Sequence, residues 1–370
     1  MDASYPPEAL GDQNSTTKTK LSPVGTMSVA IGGSSILILL IFVLFVCCLK
    51  KKDCDSRDSF VKEKAEQEEK NELIFLPGCP YKFSMEDLLQ ASAAVLGKGS
   101  YGTTYKVWLY DGTTVVVKRL REVWAGKMEF EEQMESIGRL RQHPHVVPLR
   151  AYYFSKNTKL LVHDYISGGG GGGGACNSSS IGRTPLDWTS RLKIALETAK
   201  GIAHIHSQEG HNFTHGNIKS TNILLSQFQD SCLSDFGLAP LSISLSTTTK
   251  TPGYQAPEVI KGQKVTQKSD VYSYGVLLME MLTGRDPLNS SGLGDGVDLP
   301  MWVRSIFREE WTAQIFDVWL NGYQIVEQEM LKVLHVALSC VAEAPEVRPT
   351  MSEVLGMIEE FWKPEMHYKK

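Results

Sequence analysis

The run Leu96-Gly97-Lys98-Gly99-Ser100-Tyr101-Gly102 constrains the fold more than any other stretch of the chain. Glycines at this spacing let backbone amides approach phosphate oxygens, because no Cβ stands in the way. Two architectures use such a string. In the dinucleotide-binding fold a strand leads into the glycines and a helix follows them. Here β-rich runs follow instead, Thr103 to Leu109 and Thr114 to Val117, on either side of Asp111-Gly112, a strong hairpin signal. The glycines therefore sit in antiparallel β structure. Val115-Val116-Val117-Lys118 then supplies a strand lysine that can reach phosphate groups held there.

From Lys127 to Leu140 the pattern turns helical. With Phe130 as origin, Met134, Ile137 and Leu140 fall at about 40°, 340° and 280°, and position 133 at about 300°, on the same inward face. Its occupant is Gln133, whereas Glu135 falls near the far side and reads as a solvated charge. The low-complexity stretch from Gly168 to Ser180 cannot pack and predicts a surface connection. Beyond Leu186 helical periodicity dominates (Leu192, Ala195, Leu196, Ala199, Ile202, Ala203), broken by loops at His215 and Asp235. The class is α+β: a small β-rich lobe before a larger helical one.

The two loops carry most of the polar chemistry. The first reads His215-Gly216-Asn217-Ile218-Lys219-Ser220-Thr221-Asn222 and the second Ser234-Asp235-Phe236-Gly237. Downstream stand Ala256-Pro257-Glu258, the run Lys268-Ser269-Asp270 that opens an apolar helix, and Val347-Arg348-Pro349. Together with the glycine string and Lys118, these motifs resemble the protein kinase superfamily. The strings Leu89 to Gly99, Phe130 to Gly138, Leu186-Asp187-Trp188, Lys200 to His204, His215 to Asn222 and Ala344 to Met351 are similar to plant leucine-rich-repeat receptor-like kinases. Within these, the likeness is to the subgroup described as probable inactive receptor kinases. It covers an apolar span near the N-terminus and about residues 80 to 365.

The resemblance implies a bilobal kinase fold that takes ATP and Mg2+, with Ser/Thr specificity. On that template Leu96, Gly97, Gly99, Gly102 and Val116 line the ATP site, and Lys118 reaches the α- and β-phosphates. Asn222 and Asp235 stand at the metal positions, and Lys219 at the position that neutralises the transferred phosphoryl group. Three positions of the catalytic machinery depart from the template. Asn217 occupies the place of the catalytic base, and an amide has no proton affinity at neutral pH. Gln133 occupies the place of the glutamate that pairs with the strand lysine, and Gly216 that of the arginine which receives an activation-loop phosphate. Ser242, Ser244, Ser246 and Thr247 to Thr249 therefore face no such arginine. Thr104 and Val116 also replace the usual valine and alanine, and Val116 narrows the adenine slot. His163 takes the gatekeeper position before the hinge Asp164-Tyr165-Ile166. Glu258 is expected to pair with Arg348 and Asp270 to brace the first loop.

Met27 to Leu49 carries no charge, long enough at 23 residues to span a bilayer, and Lys50-Lys51-Lys52 follow at once. This predicts a single-pass plasma-membrane protein with its N-terminus outside. The expected organisation is a short extracellular segment at 1–26, a transmembrane helix at 27–49, a juxtamembrane linker at 50–79 and a kinase-like domain at 80–365. The small lobe would end near residue 163. A net charge of -4 gives no electrostatic case for nucleic acid, and the seven cysteines lack paired metal spacing. A general base contributes about 10²–10⁴-fold, so its loss leaves slow phosphotransfer at most. The leading expectation is a membrane-anchored pseudokinase whose partners are other receptor-like kinases or cytosolic signalling proteins. A weakly active Ser/Thr kinase, and a truncated adaptor or decoy of a full-length receptor, are the alternatives.

Overall fold

The structure, a computed structural model, describes residues 72–168, 186–208, 213–242, 253–287, 297–308, 315–320 and 327–362. The predicted span at 27–49 and the glycine-rich connection from residue 169 lie outside them. No helix among the described residues is long and apolar enough to cross a membrane.

The small lobe runs β1 (Ile74–Phe75), α1 (Met85–Gln90), β2 (Ser92–Gly99), β3 (Gly102–Trp108), β4 (Thr114–Leu120), α2 (Lys127–Arg139), β5 (Leu149–Phe154) and β6 (Lys159–Asp164). Its strands form one antiparallel sheet in the order β1-β5-β6-β4-β3-β2. The Asp111-Gly112 turn joins β3 to β4 as expected, with Gly112 at φ 85° and the Asp111 carboxylate accepting from the Thr113 amide at 2.8 Å. The period-2 alternation of β4 turns Val115 and Val117 to the outer face and leaves Val116 and Lys118 on the cleft face.

Both faces of this sheet are covered. On the outer face Leu73, Met85 and Leu88 pack against Val107, Val115, Val117, Tyr153 and Val162. Residues 73–76 lie within the stretch read from the sequence as linker, yet they supply β1 and part of this cover. The inner face receives α2, whose Phe130, Met134 and Ile137 are buried as the helical wheel requires, while Glu135 is exposed.

The large lobe holds α3 (Trp188–His206), the hairpin β7 (Ile223–Leu225) and β8 (Ser231–Leu233), α4 (Pro257–Ile260), α5 (Gln267–Thr283), α6 (Leu299–Arg308), α7 (Glu327–Cys340) and α8 (Met351–Phe361). α3 starts on Asp187, whose side chain caps the Ser190 amide. α5 begins with a reciprocal Thr266–Ser269 cap and ends at Gly284, at φ 65°. Val276, Leu277, Leu278 and Leu282 bury α5 at the centre of the lobe. A rigid central helix of this kind can anchor loops whose own backbones have no regular partners.

Candidate active site between the lobes

The glycine string forms the β2–β3 turn, and its three glycines are not equivalent. A Cβ on Gly102 would sit 1.9 Å from the Arg119 carbonyl oxygen, so that glycine is required by the ladder itself. A Cβ on Gly97 would meet nothing within 4 Å, and one on Gly99 only the Gly102 carbonyl at 4.0 Å. Open space beside two glycines is a cradle that a phosphate can enter. Arg121 holds the turn down by donating to the Gly99 carbonyl at 3.1 Å. Tyr101 is buried beneath it, its hydroxyl 3.4 Å from the Gly216 carbonyl. Burial pushes the Tyr101 phenol well above its ordinary value, and the carboxylates Asp235 and Asp270 push it the same way.

In the cleft Lys118 is only 3 % exposed, and its ammonium donates to the Asp235 carboxylate at 2.6 Å. Asp235 stands at φ 63°, a left-handed conformation uncommon for a residue with a side chain. Burial raises the Asp235 carboxyl, but the Lys118 charge and hydrogen bond outweigh it and hold the group below the carboxylate range. Gln133 points inward as the wheel requires, yet no hydrogen bond joins it to Lys118. Its side-chain amide donates to the Gly237 carbonyl at 2.7 Å instead. Gly237 is held from both sides, since its own N–H donates to the His215 carbonyl at 3.0 Å. A helix of the small lobe is thereby pinned to the Asp235 turn of the large lobe by an amide.

The loop from His215 to Asn222 is braced by Asp270, whose two oxygens accept from the His215 and Gly216 amides at 2.7 and 2.8 Å. Gly216 needs its own identity, standing at φ 72° with a built Cβ 2.9 Å from that of Ala239. His206, which the sequence did not single out, adds a third contact to Asp270 at 2.9 Å. The Asn217 carbonyl accepts from the Asn222 side-chain amide at 2.8 Å. The Asn217 side-chain oxygen is buried without a hydrogen-bond partner. Such an atom normally costs stability unless something satisfies it, so it marks this spot as polar by design. Burial and the neighbouring Lys118 push the Lys219 ammonium below its ordinary value, while Asp235 acts in the opposite sense.

Two further buried groups complete the surroundings. His163 Nδ1 lies 3.2 Å from the Pro148 carbonyl and so carries the proton. Burial pushes the imidazoles of both His163 and His215 down to about 4, leaving them neutral at physiological pH. Arg348, at 1 % exposure, grips Glu258 with two bonds of 2.7 and 2.9 Å, the pairing expected from the sequence. The Asp235 turn, Asn217, Asn222 and Lys219 therefore gather beneath Lys118 and the glycine turn. Lys118 to Asp235 and Gln133 to Gly237 are contacts across more than a hundred residues, and no local pattern announced either partner.

This arrangement can be set beside known proteins. The family model described as "Protein kinase domain" matches residues 91–357. A probable inactive receptor kinase of Arabidopsis thaliana is 50 % identical over 96 % of this chain and 59 % of its own length. A probable leucine-rich repeat receptor-like protein kinase from the same plant is 42 % identical over 96 % of this chain and 57 % of its own length. The chain thus spans a little over half the length of these relatives. Among solved structures, the pseudokinase domain of BIR2, an immune regulator of the RLK/Pelle family, is 28 % identical with a TM-score of 0.65, covering 81 % of this chain and 92 % of that one. The kinase domain of maize sucrose-induced receptor kinase 1 bound to AMP-PNP is likewise 28 % identical, with a TM-score of 0.69, over 78 % of this chain and 99 % of that one. The chain belongs to the protein kinase superfamily, among the plant receptor-like kinases that include the probable inactive receptor kinases.

Proposed function

We propose that this protein is a membrane-anchored receptor-like pseudokinase that signals through its fold and its nucleotide cleft rather than by phosphotransfer. The observation that carries the reading is Asn217. It is an amide at the position of the proton acceptor, buried to 3 % exposure, with its backbone tied to Asn222. No carboxylate stands in its place to take a substrate proton, and the general-base contribution of about 10²–10⁴-fold is lost. Gln133 supports the same reading, because it binds Gly237 and leaves Lys118 without the usual glutamate partner. The scaffold contacts persist: Arg348 with Glu258, and Asp270 with the loop backbone. The binding of AMP-PNP by the maize relative supports nucleotide binding at Leu96, Gly97, Gly99, Gly102, Val116 and Lys118. The uncharged run at 27–49 supports a plasma-membrane location with the kinase domain in the cytosol. Other receptor-like kinases or cytosolic signalling proteins are the partners that fit this placement.

A phosphotransfer assay on the full chain in detergent tests the reading, with the Asp235→Asn variant as control. Background incorporation in both supports a pseudokinase. Incorporation that disappears in Asp235→Asn refutes it and establishes the second reading, a slow Ser/Thr kinase. That alternative draws on the convergence of Lys118, Lys219 and Asp235 in one cleft.

A further inference from the structure

We infer that Tyr81 and Arg150 are positioning residues for the base of the bound nucleotide. Together they clamp Asp164, the first residue of the hinge, and so fix the backbone strip that a purine edge meets. This rests on the nucleotide-binding part of the proposed function and adds to it what selects the base. The strip begins where β6 stops. Val115 pairs with Asp164 and Val116 with His163 across the β4–β6 ladder, and beyond Asp164 the chain belongs to no strand. Tyr165 and Ile166 therefore leave the sheet at the end of the ladder where Val115 and Val116 lie, with main-chain donors and acceptors that no neighbouring strand takes up.

A carboxylate with two partners holds that strip. The Arg150 Nε donates to the two Asp164 oxygens at 2.9 and 3.0 Å, and a terminal guanidinium nitrogen donates at 2.6 Å. The Tyr81 hydroxyl donates to Asp164 Oδ1 at 2.9 Å. Arg150 reaches Asp164 because β5 bulges. Leu149 faces His163 and Ala151 faces Val162, which leaves Arg150 as the extra residue between them. A bulge of this kind re-aims a side chain. The side chains of Arg150 and Asp164 are 19 % and 27 % exposed, so the pair is better shielded than a surface one. Its two-pronged geometry fixes orientation as well as distance. Burial and the Asp164 charge push the Tyr81 phenol up, so it remains a donor throughout the physiological range.

Tyr81 is carried there by a strap that runs from residue 74 to residue 83. The strap is joined to the bulge through its backbone as well, since the Leu76 amide donates to the Arg150 carbonyl at 2.8 Å. The Leu76 side chain fills the space that a Cβ on Gly138 of α2 would enter, 2.8 Å away. A Pro77-Gly78 turn, closed by the Cys79 amide on the Leu76 carbonyl at 3.3 Å, then sends the chain back. The Tyr81 ring stacks on Phe83 with centroids 6.0 Å apart, and Phe83 meets Phe75 edge-on at 5.3 Å. On the next hinge residue, the Lys106 ammonium stands 3.8 Å over the Tyr165 ring. Asp164 and Tyr165 are thus both held through their side chains, and the main chain between them keeps its orientation.

Orientation decides which base fits. The pairing edge of adenine sets the acceptor N1 beside the donor N6 amino group, whereas guanine presents a donor at N1 beside the acceptor O6. A strip fixed in one orientation accepts one order of donor and acceptor and rejects the other, because the wrong edge leaves its polar groups unpaired. A strip free to turn rejects neither.

Calorimetric titration of the full chain in detergent with ATP and with GTP, both in excess Mg2+, tests the inference, because the two nucleotides share their phosphates and differ in the base. The unmodified protein is expected to prefer ATP by about tenfold or more. Tyr81→Phe removes the hydroxyl and keeps the stacked ring, and Arg150→Lys keeps the charge and loses the fork. Each is expected to lower the preference at least about threefold by weakening ATP. A merely structural role weakens both nucleotides together. A preference that stays within about threefold of the unmodified value, whether both affinities fall or neither moves, therefore overturns the inference. So does an unmodified protein that takes GTP as well as ATP. Binding of neither nucleotide overturns the nucleotide-binding reading too. Should Arg150→Lys fail to fold, Tyr81→Phe decides alone, since it deletes one oxygen from a half-buried ring.

Discussion

Replacing the glycines of the β2–β3 turn one at a time by alanine separates what the fold needs from what a nucleotide needs. At Gly102 the new methyl carbon would lie 1.9 Å from the Arg119 carbonyl oxygen, well inside the contact distance of about 3.5 Å. The obstructing atom is backbone, directly across the ladder that pairs Thr103 with Arg119 and Gly102 with Leu120. No rotamer change relieves it, so β3 and β4 must part locally. Losing one or two ladder hydrogen bonds at about 1 kcal/mol each, with backbone strain of about 1–3 kcal/mol, gives a destabilisation of about 2–5 kcal/mol. At a few degrees per kcal/mol for a domain of this size, the melting temperature falls by roughly 10 °C. At Gly97 the same methyl meets nothing within 4 Å. Alanine there stiffens the unfolded chain and should stabilise the protein by about 0.4–1 kcal/mol. The methyl does, however, take room from a phosphate, and about tenfold weaker ATP binding is expected, or about 1.4 kcal/mol. Urea denaturation without nucleotide measures the first pair of effects, and calorimetric titration the second. Equal stability losses in Gly97→Ala and Gly102→Ala would falsify the division of labour, as would full ATP affinity in Gly97→Ala.

Arg348→Met removes the partner of a buried carboxylate and leaves Glu258 uncompensated, so a loss of about 3–5 kcal/mol is expected in chemical denaturation. Adding Glu258→Gln to it should recover part of that loss; a double variant as unstable as the single one would show that the ion pair is not the cause. Glu280, 7 % exposed and hydrogen-bonded by the Tyr254 hydroxyl, has a carboxyl that burial raises from 4.5 to about 7. The native state therefore binds this proton more tightly than the unfolded chain. The resulting stability is complete below pH 4.5 and disappears as pH rises through about 7. Between pH 5 and pH 8 the unmodified protein should lose about 2–3 kcal/mol more than Glu280→Gln. Parallel stability profiles for the two proteins would overturn that assignment.

The sequence carried the β3–β4 hairpin because Asp111-Gly112 has few alternatives to a tight turn. It carried the inward face of α2 because apolar residues recur there with helical period over two to three turns. The strand Ile74–Phe75 escaped notice for the converse reason: two residues hold no alternation to detect. Asn217, Asn222, Lys219 and Asp235 were readable as a set from the order of the motifs, and the pairing of Arg348 with Glu258 from the same template. Gly216 illustrates the limit. The sequence showed only that an arginine was absent, whereas the backbone at φ 72° and the nearby Ala239 show why glycine is comfortable there. Tyr101 read as a residue between glycines, and only the packed lobes bring its hydroxyl to the Gly216 carbonyl.

The amino-acid sequence by itself determined which functional groups this protein owns: a strand lysine, an amide where a base would stand, an amide where a glutamate would stand, and one carboxylate in the turn at 235. It determined their secondary structure as well, because propensity and hydrophobic period act over a few neighbouring residues. Which group holds which was decided by tertiary structure alone. Gln133 binds Gly237, and Lys118 binds Asp235, because the packing of α2 and β4 over the 235 turn brings these atoms to within 2.7 Å of each other. A hydrogen bond forms or fails over a few tenths of an ångström. Distances that fine, between residues more than a hundred positions apart, are set by the whole core and by no local run of letters.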